Sequence, residues 1–209
     1  MKTTVILVRH GQTEWNRVER FRGRADVPLN DTGLKQAEAT GCRVAAAWQP
    51  VAIYSSPLSR AVKTAEAIGA AAGLDVEIHA GLADIDYGDW QALTPDEARA
   101  KWPEMVATWY QAPHLVRIPG GETLDELRVR AMRTTADLVA RHIGQTIVLV
   151  SHTVINRIIL LGILGLGNDR FWHIRQEPCA INVLEAERGD YTLVSMNDTG
   201  HLSVLEPPQ

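Results

Sequence analysis

The chain has 209 residues, of which 45% are hydrophobic and 22% are charged, and its formal net charge is −4. This balance is typical of a globular protein, and the acidic net charge excludes a broad basic surface for nucleic acid or anionic membranes. The two cysteines, Cys42 and Cys179, form no Cys-x-x-Cys pair, so a zinc or disulfide framework is not expected. Because no segment resembles a signal sequence or a membrane span, we expect a cytoplasmic protein with no nucleic-acid or membrane partner.

Three short β-branched segments, apolar on both faces, are predicted to be strands of a parallel sheet. They are residues 3–8, 51–56 and 146–151. Each runs directly into residues that carry chemistry. These are Arg9-His10-Gly11 after the first, Pro57 to Arg60 after the second, and His152-Thr153 after the third.

Helical segments separate these strands. Asn30-Asp31-Thr32 can cap a helix over 34–48, and Ser56 followed by Pro57 is typical of a helix start. Two capping boxes, Thr94 with Glu97 and Thr123 with Glu126, predict two further helices. The segment 181–197 is typical of two strands joined by a turn at 187–190.

The alternation of strands and helices predicts an α/β fold with a mostly parallel central sheet. We expect a single domain over residues 1–209. The stretch from roughly 81 to 121 is rich in Trp and Pro and is expected to be an insertion that covers the active site.

The predicted strand ends carry Arg9, His10, Arg60 and His152, and ligands of open α/β sheets bind at such ends. Two guanidinium groups repel a divalent metal, and no metal-ligand spacing is present, so no metal site is predicted. Arginine instead offers paired donors that match phosphate. Gly11 has no Cβ and lets the backbone approach a bound group.

A histidine beside arginines points to covalent chemistry. Neutral imidazole is a nucleophile, and neighbouring arginines favour the neutral form, so transfer through a phosphohistidine is predicted. The leaving alkoxide needs a proton, and Asp84 and Asp86 are the candidate acids.

Six segments, in order along nearly the whole chain, resemble the histidine phosphatase superfamily, in the branch that also contains cofactor-dependent phosphoglycerate mutases. They are LVRHGQTEWN, FRGRADVPLNDTGLKQA, YSSPLSRAVKTA, LADIDYGDW, PGGETL and LVSHT. The resemblance implies a three-layer α/β/α fold and no metal or cofactor.

The resemblance also implies residue roles. His10 is the implied nucleophile, and Asp84 is the implied acid that protonates the leaving group and later activates water. The implied ligands of the phosphoryl group are Arg9, Asn16, Arg60 and His152, with Arg22 and Gly23 at the rim and a backbone N–H from Thr153. His152 is implied to stay cationic or to donate a hydrogen bond, and Asn16 has the alternative role of a local cap.

One position departs from the pattern. Most members of this family carry glutamate where this chain has Asp84, and aspartate is shorter by one methylene, about 1 Å of reach. Such a misplacement can cost about a hundredfold in rate unless the loop lies further inward. Asp86 therefore stays open as the acid.

The favoured function is a metal-independent phosphatase of a small phosphorylated metabolite, phosphoserine-like or of broad specificity. A mutase of this family carries an extra basic segment after its acid, and here Lys101 is present without an arginine pair. Tyr87 stands where phosphoserine phosphatases of the family have histidine. The alternatives are a cofactor-dependent phosphoglycerate mutase, an α-ribazole phosphate phosphatase and a non-catalytic phospho-ligand binding protein.

Two expectations concern the surface. Four residues are candidates to line a lid over the site: Tyr87, Trp109, His114 and His201. The segment YTLVSM is a candidate edge strand that pairs across a homodimer.

Overall fold

The computed structural model describes residues 1–205 and contains a six-stranded sheet with the order β3-β2-β4-β1-β5-β6. The strands are β1 (Thr3–Arg9), β2 (Ala52–Ser55), β3 (Val76–Ile78), β4 (Thr146–Ser151), β5 (Ile181–Glu187) and β6 (Asp190–Asp198). Strands β1, β4, β2 and β3 run parallel, whereas β5 and β6 are antiparallel to their neighbours. The predicted mostly parallel sheet and the C-terminal hairpin are confirmed.

Seven α-helices flank the sheet within the described residues. They are α1 (Glu14–Arg17), α2 (Asp31–Trp48), α3 (Ser59–Ala72), α4 (Pro95–Lys101), α5 (Pro103–Gln111), α6 (Leu124–Arg141) and α7 (Thr153–Ile163). None of the described helices is long and apolar enough to cross a bilayer.

The central strands are apolar on both faces because helices cover both faces. In β1, Ile6 and Val8 pack on the side of α2 and α3, while Val5 and Leu7 pack on the side of α6 and α7. All four side chains are fully buried. The three-layer α/β/α architecture is therefore confirmed.

Most of the predicted helix starts are confirmed by their caps. The Asn30 side chain accepts a hydrogen bond from the Gly33 N–H, and both predicted capping boxes are formed. The predicted start at Ser56-Pro57 is wrong, because α3 begins at Ser59 and Leu58 is its N-cap. The Ser56 hydroxyl accepts from the Leu58 N–H at 3.3 Å and also lies 2.6 Å from His152 Nε2.

The stretch from 81 to 121 contains α4, α5 and short 3₁₀ helices. Its Trp90 and Trp109 are buried and pack with Phe21, Tyr87 and Phe171 in one aromatic cluster. The assignment of one domain with an insertion here stays a prediction.

Candidate active site

The carboxyl ends of β1, β4 and β2 lie side by side and bring the predicted residues together. Arg9 ends β1, His10 follows it, and His152 follows β4 at the start of α7. The rings of His10 and His152 are 5.1 Å apart between centroids. Both rings and the Arg60 side chain are buried, so the cluster is shielded from bulk water.

His10 is held in one tautomer by its own loop. Its Nδ1 is 2.7 Å from the carbonyl oxygen of Gly11, which can only accept, so Nδ1 carries the hydrogen. In the neutral ring the lone pair then lies on Nε2. Burial lowers the pKa of His10 well below its usual value, and the charges of Arg60 and Arg9 lower it further. The neutral, nucleophilic form is therefore favoured at physiological pH.

His152 is oriented by Ser56. The Ser56 Oγ accepts from the Leu58 N–H at 3.3 Å and lies 2.6 Å from His152 Nε2. When the hydroxyl donates to Nε2, the hydrogen of the neutral ring lies on Nδ1, which is buried without a partner among the described residues. Burial, followed by the charge of Arg60, lowers the pKa of His152 well below its usual value. The expected role of His152 during the reaction, as a cation or as a hydrogen-bond donor, stays a prediction.

The two central arginines are anchored by main-chain carbonyls. Arg9 Nη1 donates to Gln176 O at 2.6 Å, and Arg60 donates to Ala25 O at 2.7 Å and Gly23 O at 2.8 Å. Burial lowers the pKa of Arg9 to about 9 and that of Arg60 to about 10, so both keep their charge at neutral pH. The Nε of each is buried without a partner among the described residues.

The two candidate acids occupy different environments. Asp84 is buried, its Oδ1 accepts from the Ile85 N–H, and its Oδ2 lies 3.9 Å from Arg60 Nη2. Burial raises the pKa of Asp84, and the attraction of Arg60 only partly opposes this. Asp86 instead accepts from Gly88 N–H and pairs with Arg24 at 3.2 Å. Asp84 is therefore the more buried of the two and lies beside Arg60, and its role as the acid stays a prediction.

The remaining predicted ligands, Asn16 and Thr153, and the predicted rim residues, Arg22 and Gly23, differ in their hydrogen-bond partners. Asn16 Oδ1 accepts from the backbone N–H and the hydroxyl of Thr13, so the local cap exists and uses only the oxygen of the amide. Arg22 donates to Trp15 O at 3.1 Å, and Gly23 supplies a carbonyl to Arg60. Thr153 is the first residue of α7, and its buried hydroxyl has no partner among the described residues.

A cavity of about 230 Å³ is lined by Arg9 and Thr153, the chain neighbours of His10 and His152, but not by the two histidines themselves. Arg22 also lines this cavity, and Tyr87 and Trp109 line it as predicted. His114 and His201 do not line it, and the His201 Nε2 is hydrogen-bonded to Thr40 Oγ1 instead. The lid prediction is wrong for these two histidines.

Three residues of the site were not predicted. The sequence around Ser56 predicts a helix cap rather than a partner for His152, and Gln176 gives no signal in the sequence. Arg157 lies on the same helical face as Thr153, four residues later, which was a usable signal. Its guanidinium lies 4.9 Å from the Phe171 ring and 5.0 Å from the Trp172 ring, and its Nε donates to Ile174 O. It adds a cation to the cavity wall.

Among residues 1–205, no group of three or more His, Cys, Asp or Glu side chains is placed to hold a metal ion.

A family model described as "Histidine phosphatase superfamily (branch 1)" matches residues 5–199. Phosphoserine phosphatase 1 of Hydrogenobacter thermophilus is 35% identical over 198 residues, which cover 95% of this chain and 93% of that protein. A metal-independent phosphoserine phosphatase of Arabidopsis thaliana is 32% identical over 96% of this chain and 84% of its own. The chain spans 55% of the length of some other curated relatives.

Among solved structures, Bacillus stearothermophilus YhfR is similar with a TM-score of 0.91 and 30% identity. The match covers 96% of this chain and 100% of that one.

Proposed function

The chain belongs to branch 1 of the histidine phosphatase superfamily and is a small-molecule phosphatase; we propose that it works through a phosphohistidine formed on His10. One observation carries this proposal. The neutral His10 ring, with its lone pair on Nε2, lies beside His152 among buried arginines that main-chain carbonyls anchor.

In the first step, His10 Nε2 attacks phosphorus and the bond from phosphorus to the ester oxygen breaks. Asp84 gives its proton to that oxygen, so the alcohol leaves neutral. Arg9 and Arg60 stabilise the charge of the transferring group, as phosphoryl transfer requires. The Nδ1 of His152, which has no partner among the described residues, donates to a phosphoryl oxygen when it carries the ring hydrogen.

In the second step, water attacks the phosphohistidine. The carboxylate of Asp84 takes a proton from the water as its oxygen bonds to phosphorus. The bond from phosphorus to Nε2 breaks, which restores neutral His10 and releases inorganic phosphate. No net proton is left on the enzyme.

The cavity wall suggests a substrate class. Arg157 and Arg22 add positive charge beyond the phosphate position, and aromatic rings enclose a volume suited to a small molecule. We propose phosphomonoesters with a nearby carboxylate, such as phosphoserine and 3-phosphoglycerate, as the first substrates to test. The relatives named phosphoserine phosphatases support this choice.

The mutase alternative has less support from the geometry. Lys101 lies with its Nζ 5.7 Å from the centroid of the Trp102 ring and does not line the cavity. A substrate panel that includes a mutase assay separates the two outcomes. The panel contains phosphoserine, 3-phosphoglycerate, 2,3-bisphosphoglycerate, α-ribazole phosphate and sugar phosphates.

Hydrolysis of p-nitrophenyl phosphate in EDTA tests the proposed chemistry. We expect activity in the wild type, and His10→Ala should lower kcat by about 10⁴-fold or more. His114→Ala, an exposed histidine away from the cavity, serves as the matched control. Rapid quenching in base should trap a phosphoenzyme modified at His10. Well-folded wild type without turnover, or full activity in His10→Ala, would contradict the proposal.

A further inference from the structure

The position of the Asp84 carboxyl depends closely on its backbone. Aspartate has a short side chain, so its carboxyl can move little unless the main chain moves. All four main-chain carbonyls of residues 81–84 accept a hydrogen bond from a side chain. Ser151 of β4 donates to Leu82 O at 2.7 Å, and Arg130 of α6 takes the other three carbonyls.

All the N–H donors of the Arg130 guanidinium bind either these carbonyls or the carboxylate of Glu122. Its Nη1 donates to Gly81 O and Ala83 O, both at 2.9 Å, and its Nη2 lies 3.3 Å from Asp84 O. Its Nε and Nη2 also donate to the two carboxylate oxygens of Glu122, at 2.9 and 2.8 Å. A guanidinium has five N–H groups in a fixed plane, and here they meet five acceptors.

Glu122 also holds the main chain on the other side of Asp84. Its backbone N–H donates to Asp86 O at 2.8 Å, and its Oε2 accepts from the Asp86 N–H at 3.4 Å. The loop is therefore fixed both before and after Asp84. Because Glu122 neutralises Arg130, the pair orders the loop without adding net charge beside the acid.

Close packing supports the same contact. Gly81 lies against α6 so tightly that a Cβ there would be 2.1 Å from Thr134 Oγ1. Helix α6 thus carries both the steric contact and the arginine that fix the loop. The Arg130 and Glu122 side chains are only 23% and 13% exposed, so water competes little for their hydrogen bonds.

We propose that the Glu122–Arg130 pair positions Asp84 for proton transfer, so that both are positioning residues of the reaction. This inference rests on the proposed function, in which Asp84 is the acid. A purely structural pair would affect every substrate alike. A positioning pair affects substrates in proportion to their need for a proton.

The test is a series of substituted phenyl phosphates whose leaving groups differ in pKa. For Arg130→Gln we expect kcat to fall about tenfold or more on the poorest leaving group and by less than about threefold on p-nitrophenyl phosphate. Glu122→Gln keeps its size and should shift the dependence in the same direction, which provides a second variant if Arg130→Gln does not fold. Arg128→Gln is the matched control, because that side chain links the same helix to Leu166 O and Asn168. It should leave the dependence on the leaving group unchanged.

A double-mutant cycle with Asp84→Asn separates the two ideas. If Arg130 acts through Asp84, adding Arg130→Gln to Asp84→Asn should cost no further activity on the poorest leaving group. Equal losses on all phenyl phosphates, or full additivity in the cycle, would overturn the positioning role while leaving the phosphatase intact. If Asp84→Asn itself shows no dependence on the leaving group, the role of Asp84 in the proposed function fails instead.

Discussion

A Gly11→Ala substitution tests how closely the position of His10 is set by backbone packing. A Cβ at Gly11 would lie 2.5 Å from the carbonyl oxygen of Gly33, at the start of α2. Ordinary van der Waals contact begins at 3.4 Å. The backbone at Gly11 or at Gly33 must therefore move by about 0.9 Å, the difference between 3.4 and 2.5 Å. Both partners are backbone, and neither can swing aside as a flexible side chain would.

The movement reaches the reacting atom directly. The carbonyl of Gly11 is the acceptor of His10 Nδ1, so a displaced carbonyl redirects Nε2. A shift near 1 Å can cost about a hundredfold in rate, so we expect kcat for p-nitrophenyl phosphate to fall by about that factor. The measurement is steady-state kinetics on protein whose fold is checked by circular dichroism.

Two further variants accompany this test: Gly73→Ala is the folding control, and Thr64→Val disturbs the same loop without a clash. Gly73→Ala places a Cβ where nothing lies within 4 Å, at a φ of +69°, so it strains the backbone without touching the site and should keep kcat. Thr64→Val removes the acceptor of the Gly11 N–H without a clash, and we expect kcat to fall about tenfold. If Gly11→Ala folds and stays within about threefold of wild-type kcat, the packing argument is wrong.

Three other outcomes are expected. Because burial and the arginines lower the pKa of His10, kcat/KM for p-nitrophenyl phosphate should show no loss of activity from His10 protonation near pH 6.5; a midpoint there that disappears with a substitution at His10 would contradict this. Because burial raises the pKa of Asp84 in the folded protein, this carboxyl group lowers the free energy of unfolding by an amount that grows as pH rises from 3.8 through the raised pKa. Asp84→Asn should therefore raise the melting temperature at neutral pH, with the gain shrinking as pH falls toward 3.8, and an unchanged or lower melting temperature at pH 7 would refute it. Arg157→Gln should raise KM for phosphoserine about tenfold while leaving KM for p-nitrophenyl phosphate nearly unchanged, and equal effects on both would argue against a carboxylate contact.

The homodimer also stays a prediction. Strand β6 lies at the edge of the sheet, and its Val194 and Met196 side chains are exposed at 56% and 41%. An exposed edge strand can pair with a second copy. Light scattering that finds only monomer at working concentration would end this idea.

Local signals predicted the frame of the molecule well. Apolar runs located β1, β2 and β4, because strands covered on both faces are apolar at successive central positions. Strand β3 was missed because it has three residues, two of them exposed, and so gives no periodic signal. The histidines and arginines at the strand ends were found because parallel strands end at one edge.

Residues used for tertiary contacts were harder to predict. Ser56 before Pro57 is a sequence typical of a helix cap, yet in the structure its hydroxyl forms a hydrogen bond with the distant His152. Arg130 lies in an amphipathic helix where an arginine is usually solvated, and its partners at 81, 83 and 84 come from a distant loop. Local propensity carries no information on which loop a helix will meet.

Arg9 and Arg60 are anchored in the same way. Arg9 and Arg60 each donate to main-chain carbonyls, and the carboxylate nearest to Arg60 lies at 3.9 Å, longer than a hydrogen bond. A carbonyl fixes a guanidinium without cancelling its charge, whereas a carboxylate would cancel much of it. Burial makes this positive charge costly, as the lowered pKa values of both arginines indicate. In the mechanism that we propose, the transferring phosphoryl group offsets that cost, so the electrostatic stabilisation acts on the ligand and the transition state. Arg130, by contrast, is paired with Glu122, as expected for an arginine that orders a loop rather than binding an anion.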